Sequence, residues 1–169
     1  TSAHARAKWA WLVGGALALG LGIWSMHFTA MLAFQLPIPV IYHVPTVILS
    51  DLAAVFASVL ALWIVSRPTL TRRSLIGGGL TMGAAIVTMH YSGMAAMRLQ
   101  ARLSYDPVLF IASIVIAIIA SMAALWLAFR FRTIKTTKDV LGKFASAIVM
   151  GFAISGMHYT AMYGVRVLP

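Results

Sequence analysis

The sequence predicts an all-α fold, a polytopic transmembrane bundle of about five spanning helices, on three observations. Hydrophobic residues fill 62% of the 169 positions and charged residues only 9%, against about 45–50% and 25% in soluble domains. Five stretches reach or exceed the roughly 20 apolar residues that cross a bilayer core. The Lys and Arg residues fall in or beside the short connections between those stretches.

Taken in order, the first helix is expected from about Trp9 to Phe34. Its apolar run is too long for a signal peptide. The second is expected from about Ile41 to Val65, the third from Leu75 to Met97, the fourth from Pro107 to Phe131 and the fifth from Val140 to Val165. Each is long enough to span with some tilt.

The formal net charge of +10 points to topology, not to nucleic acid, because the cations share no basic face. Arg6, Lys8, Arg67, Arg72, Arg73, Arg130, Arg132, Lys135, Lys138 and Lys143 fall at one end of the expected bundle; only Arg98, Arg102 and Arg166 fall at the other. The positive-inside rule then makes the N-terminus and the basic loops cytoplasmic. Trp9, Trp11, Trp63 and Trp126 lie near that same end, as an interfacial aromatic belt does. Cysteine is absent, which excludes disulfides and thiolate ligands.

An internal two-helix repeat of about 63 residues runs through the chain. His27 recurs as His90, Tyr42 as Tyr105, and Ala61-Leu62-Trp63 as Ala124-Leu125-Trp126. The units are expected at about 9–66, 73–132 and 140–169, together one domain over 1–169. The third stops after its motif helix, and the first residue is Thr1, so this reading expects a longer parent chain with at least one further helix.

Each unit carries one motif near the outer end of its first helix: Met26-His27-Phe28-Thr29-Ala30-Met31, Met89-His90-Tyr91-Ser92-Gly93-Met94 and Met157-His158-Tyr159-Thr160-Ala161-Met162. Residues four and seven apart share a helix face. Met31, Met94 and Met162 therefore lie on the faces of His27, His90 and His158, with Gly20, Gly83 and Gly151 seven residues before each His and Ala16, Gly79 and Ala147 eleven before. The small residues are expected to let the motif helices approach one another and so to bring the three imidazoles into one site. Imidazole and thioether donors without thiolate suit copper. The metal ligands expected are thus His27, His90, His158, Met31, Met94 and Met162, with Met26, Met89 and Met157 reaching only from the flank. A packing role for a single intramembrane His or Met is the ordinary case; three copies at one depth favour a shared site.

These motifs resemble the MHYT domain, a bacterial integral membrane sensor module named for its repeated Met-His-Tyr-Thr. The resemblance covers nearly the whole chain. It implies a sensor in the bacterial inner membrane with its motifs toward the outer face, copper binding, and sensing of a diatomic gas (oxygen, carbon monoxide or nitric oxide) or of redox state. It also implies a cytoplasmic output, such as a GGDEF or EAL domain or a histidine kinase, which these residues do not contain. Phe28 stands where the family name has Tyr, and Ser92 where it has Thr.

Asp51 lies about ten residues into the second helix, about 15 Å deep, where it could orient a ligand His or carry a proton; a protonated carboxyl bonded to a neighbouring hydroxyl is the competing reading. Tyr91 and Tyr159 are expected near the site or at the interface, and His43 and His4 are expected to be solvated. The partners expected are the bilayer, a gas ligand and the output domain, with no nucleic acid; a homodimer is left open. Catalysis is not expected, because there is no Cys or Glu and no acid–base pair beside the motifs. Two other functions compete. A haem-binding bundle would use two of the three His as axial ligands, but haem needs a cavity of several hundred cubic ångströms. A copper carrier or transporter would want ligands stepping through the membrane.

Overall fold

A computed structural model describes residues 2–36, 38–133 and 136–168. Five long helices run in sequence: α1 (Ser2–Ala33), α2 (Val44–Val65), α3 (Arg72–Ala95), α4 (Pro107–Arg130) and α5 (Thr137–Tyr163). Their starts are set by local chemistry. Pro45 and Pro107 occupy the first turns of α2 and α4, where a missing N–H costs nothing. The side chains of Thr71 and Asp106 accept from the free N–H groups that open α3 and α4, and Thr136 and Asp139 form a reciprocal capping box on α5. Two of the residues considered above, His4 and Lys135, lie outside the described side chains.

Polarity is arranged inside out. The buried faces of α2 and α4 carry small residues, among them Ser50, Ala54 and Ser58 on α2 and Ser113, Ala117 and Ser121 on α4. Leu52, Phe56, Ile111 and Ile119 point outward. A water-soluble protein buries its large apolar side chains; a bundle in lipid has no such drive and packs through small ones. Four helices, α1, α2, α4 and α5, are long and apolar enough to span a membrane. The remaining expected span, the third, is α3, which has the length but a more polar composition, with Arg72, Arg73 and five glycines. It packs along both α2 and α4, so much of its surface meets protein and not lipid. The chain is a multi-pass membrane domain.

Four short strands close the end opposite the basic loops, an addition to the purely helical expectation. β1 (Ile41–Tyr42) pairs antiparallel with β2 (Met97–Arg98), and β3 (Arg102–Tyr105) with β4 (Val165–Leu168). The register repeats: Tyr42 faces Met97, and Tyr105 faces Val165. Arg166 bonds Asp106 at 2.9 Å, which ties β4 to the start of α4. At the basic end the Arg132 guanidinium donates to the carbonyls of Val65, Arg67 and Pro68, where α2 has run out of internal donors.

The small-residue stripe does not do what its spacing suggested. A Cβ on Gly20 would fall 2.7 Å from the Val55 Cα, and one on Gly83 would fall 2.8 Å from the Ile118 Cα. These glycines admit α2 against α1 and α4 against α3; they do not join the motif helices to one another. The third copy has no such neighbour among the described residues. Gly151 has open space around it, Ala147 is exposed, and both line a groove of about 630 Å³ between α1 and α5.

Candidate metal centre

The three motif histidines converge although 131 residues separate the first from the last. Nδ1 of His27 lies 3.2 Å from Nδ1 of His158 and 3.3 Å from that of His90, and the last two are 3.3 Å apart. All three side chains are buried, and the rings meet edge to face with centroids 5.0–5.1 Å apart. Of the described His, Cys, Asp and Glu, these three form the group able to hold an ion.

The triangle is poorly satisfied by itself. A hydrogen bond between two Nδ1 atoms needs a proton on one and a lone pair on the other, so three mutual contacts cannot all be good at once. Nε2 of His27 and of His90 are also buried without partners. A cation at the centre would relieve the Nδ1 contacts by taking all three lone pairs together, with the ring protons then on Nε2, where those of His27 and His90 meet no acceptor among the described residues. The centre of a triangle with sides of 3.2–3.3 Å lies about 1.9 Å from each corner, close to the roughly 2.0 Å of imidazole–metal bonds.

Met31, Met94 and Met162 lie one helical turn further toward the strands, about 6 Å along each axis. They pack with Met97 into one buried cluster, covered by Phe34, Tyr42, Leu103 and Tyr105. The thioethers thus form a layer beside the imidazoles, and Met97 joins from β2. The flanking methionines divide: Met89 and Met157 are buried, while Met26 is half-buried and faces the α1–α5 groove. On the basic-end side, about one turn from His90, lies an apolar cavity of about 90 Å³ lined by Met82, Ile86, Leu125, Ser58 and Ser121.

The remaining candidates scatter. Tyr91 shares a hydrogen bond of 2.9 Å with Ser113, whereas Tyr159 is 62% exposed. Phe28 has no hydroxyl to offer at the matching place; there Trp24, packed on Phe28 at 4.8 Å, donates its indole N–H to Ser50 at 3.1 Å. Asp51 is half-buried and its Oδ1 has no partner, so it does not hydrogen-bond a site imidazole through that atom. His43 is exposed and bonds Thr46 at 2.8 Å. Three participants escaped the sequence reading. Ser50 and Ser113 recur at the 63-residue offset and could have been found by it. Gly93 abuts Nε2 of His27, and only its departure from Ala30 and Ala161 in the other copies marks it.

Fold and site together define a helical membrane domain built around a buried three-imidazole cluster. The bacterial signalling protein N terminal repeat, MHYT, matches residues 20–78 and 83–137, and the chain belongs to that family. It is 51% identical over 162 residues to the bifunctional diguanylate cyclase/cyclic di-GMP phosphodiesterase MucR of Pseudomonas aeruginosa, covering 96% of this chain and 24% of that one. It is 42% identical to signaling protein YkoW of Bacillus subtilis, covering 90% of this chain and 19% of that protein. Against the cyclic di-GMP phosphodiesterase NbdA of Pseudomonas aeruginosa it is 40% identical, covering 91% and 19%. The chain therefore spans about a fifth to a quarter of these relatives. No solved structure matches.

Proposed function

We propose that this domain is a non-catalytic membrane sensor that binds copper through Nδ1 of His27, His90 and His158. The observation that carries the reading is the Nδ1 triangle, whose sides suit one shared ion. Met31, Met94 and Met162 supply soft thioethers at the next level, a set that favours the cuprous ion. Bound there, copper would offer a coordination site for a diatomic gas or a redox couple. The 90 Å³ apolar cavity beside the triad gives a small apolar molecule room to approach. The histidines hold the ion, and the methionine layer with its aromatic cover keeps water from it.

Signalling then requires that the loaded and empty sites favour different packings of α1, α3 and α5, since each helix contributes one imidazole. By the positive-inside rule the site faces the outer leaflet of a bacterial inner membrane and the basic loops face the cytoplasm. The output in the full-length protein would be cyclic di-GMP turnover, as the names of MucR and NbdA say of those proteins. Haem is the weaker reading, because a porphyrin between any two of these rings would have to part centroids 5.0–5.1 Å apart. A carrier is weaker too, because the three imidazoles share one level.

Copper titration of the purified domain, reduced and oxidised, tests the proposal. One ion per chain is expected, with comparable losses in His27→Ala, His90→Ala and His158→Ala. Copper binding that survives all three substitutions, or a Soret band in the purified protein, would overturn it.

A further inference from the structure

We propose that the basic end of the bundle holds a binding site for the phosphate of an anionic phospholipid, between α1 and the end of α2. A pocket of about 250 Å³ opens there, lined by Lys8, Trp9 and Leu12 from α1 and by Trp63, Ser66 and Arg67 from α2 and the residues after it. Its two cations have no acidic counterpart: neither Lys8 nor Arg67 pairs with a carboxylate among the described residues. Arg67 is held in place, stacked 3.8 Å from the centroid of Trp63 and donating to Ser74 at 3.3 Å. The turn that carries it is clamped from behind by Arg132, which donates to the carbonyls of Arg67 and Pro68. Lys8 makes no hydrogen bond among the described residues and can swing across the mouth.

The surroundings select a lipid. Trp9 and Trp63 are 61% and 44% exposed, and tryptophans at that level anchor a helix in the headgroup layer. Basic pockets between spanning helices at this depth take anionic headgroups. Below the cations the wall turns apolar at Leu12, and the neighbouring outer surface presents Val13, Phe56 and Val59, against which acyl chains can lie. The pocket also breaks the internal repeat. At the 63-residue offset Arg67 and Trp63 become Arg130 and Trp126, but Lys8 becomes Thr71 and Trp9 becomes Arg72. There Arg130 leans over Phe131, 5.7 Å from its centroid. Where the first unit pairs a lysine on one helix with a stacked arginine on the next, the second has Thr71 at the lysine's position.

Native mass spectrometry of the detergent-purified domain tests this by titrating phosphatidylglycerol against phosphatidylcholine, with inorganic phosphate in a parallel series. Wild type should prefer phosphatidylglycerol, and Lys8→Glu should cut that preference roughly fivefold or more, the size expected for one basic residue near a lipid surface. Lys8 has no internal bond, so the variant should unfold at the wild-type temperature. Arg72→Glu, at the same end but outside the pocket, should leave the preference largely intact. Equal losses in the two variants would mean a diffuse charge effect and overturn the site. So would an unchanged preference in Lys8→Glu, or binding of inorganic phosphate with no preference between the lipids.

Discussion

Gly93 on α3 faces Nε2 of His27 on α1 so closely that a Cβ on Gly93 would overlap the ring. The glycine therefore sets how far the first histidine reaches toward the other two. Gly93→Ala should force the imidazole to turn or α1 to retreat, opening the Nδ1 triangle. Overpacking of this kind costs about 1–3 kcal/mol, visible as a lower unfolding temperature in detergent. Copper affinity should fall as well, if His27 is a ligand. Gly22→Ala is the control, since nothing lies within 4 Å of that position. Equal copper affinity in both variants would separate Gly93 from the site.

The glycines seven residues before each histidine should differ among themselves. Gly20→Ala and Gly83→Ala press a methyl onto the backbones of Val55 and Ile118, neither of which can give way as a flexible side chain could. Losses of about 1–3 kcal/mol are expected for each. Gly151→Ala meets open space, and in this chain it should be neutral or stabilising by up to about 1 kcal/mol through helix propensity. Thermal unfolding of the three variants side by side checks the order; a Gly151→Ala loss matching the others would mean that its face is covered in solution.

That contrast marks how far the sequence was legible. Hydrophobic run length located all five helices to within a few residues at most ends, because length is a one-dimensional property. α1 begins earlier than expected and takes in Arg6 and Lys8, since a helix can continue into water past its apolar stretch. Spacing put the small residues, the His and the Met on one face of each motif helix. It could not say which neighbour each part of that face meets, and Gly20 and Gly83 turned out to receive α2 and α4. The strands were not legible either. Ile41–Tyr42 and Met97–Arg98 are two residues each, and their pairing depends on helices that hold their ends together.

Arg132 should matter more to the basic end than an exposed arginine ordinarily does. Its guanidinium reaches the last carbonyl of α2, at Val65, and two beyond it, at Arg67 and Pro68, and stacks 4.1 Å from the Phe129 ring centroid. Removing it leaves the end of α2 to water and uncouples the α2–α3 turn from α4. Arg132→Ala is expected to destabilise by about 1–3 kcal/mol, the scale of hydrogen bonds to charged groups. Arg132→Lys should recover only part, because an ammonium cannot reproduce a planar fork. Hydrogen exchange at the amides of Ser66 and Arg67, which close the end of α2 on Leu62 and Ile64, should quicken in both; protection equal to wild type in Arg132→Ala would show that the clamp is not used.

The first motif lacks the tyrosine of the other two, with Phe28 where they carry Tyr91 and Tyr159. In the second unit the Tyr91 hydroxyl bonds Ser113; in the first, Phe28 holds the matching position and Trp24 bonds Ser50 from one turn away. The serines are equivalent by the repeat and both are fully buried, so each unit has met one need with a different donor. Trp24→Phe should cost about 1 kcal/mol for the lost bond, with a further loss from the smaller ring. Phe28→Tyr alone should gain little, since Ser50 already has its donor. Combined with Trp24→Phe it should restore much of the hydrogen-bond loss, because a hydroxyl at position 28 can take the role that Tyr91 plays. A double-mutant cycle on unfolding free energy measures the coupling, expected at about 0.5–1 kcal/mol for residues sharing one partner. Strict additivity would mean that Ser50 does not recruit its donor from this face, and that the two units satisfy their buried serines for unrelated reasons.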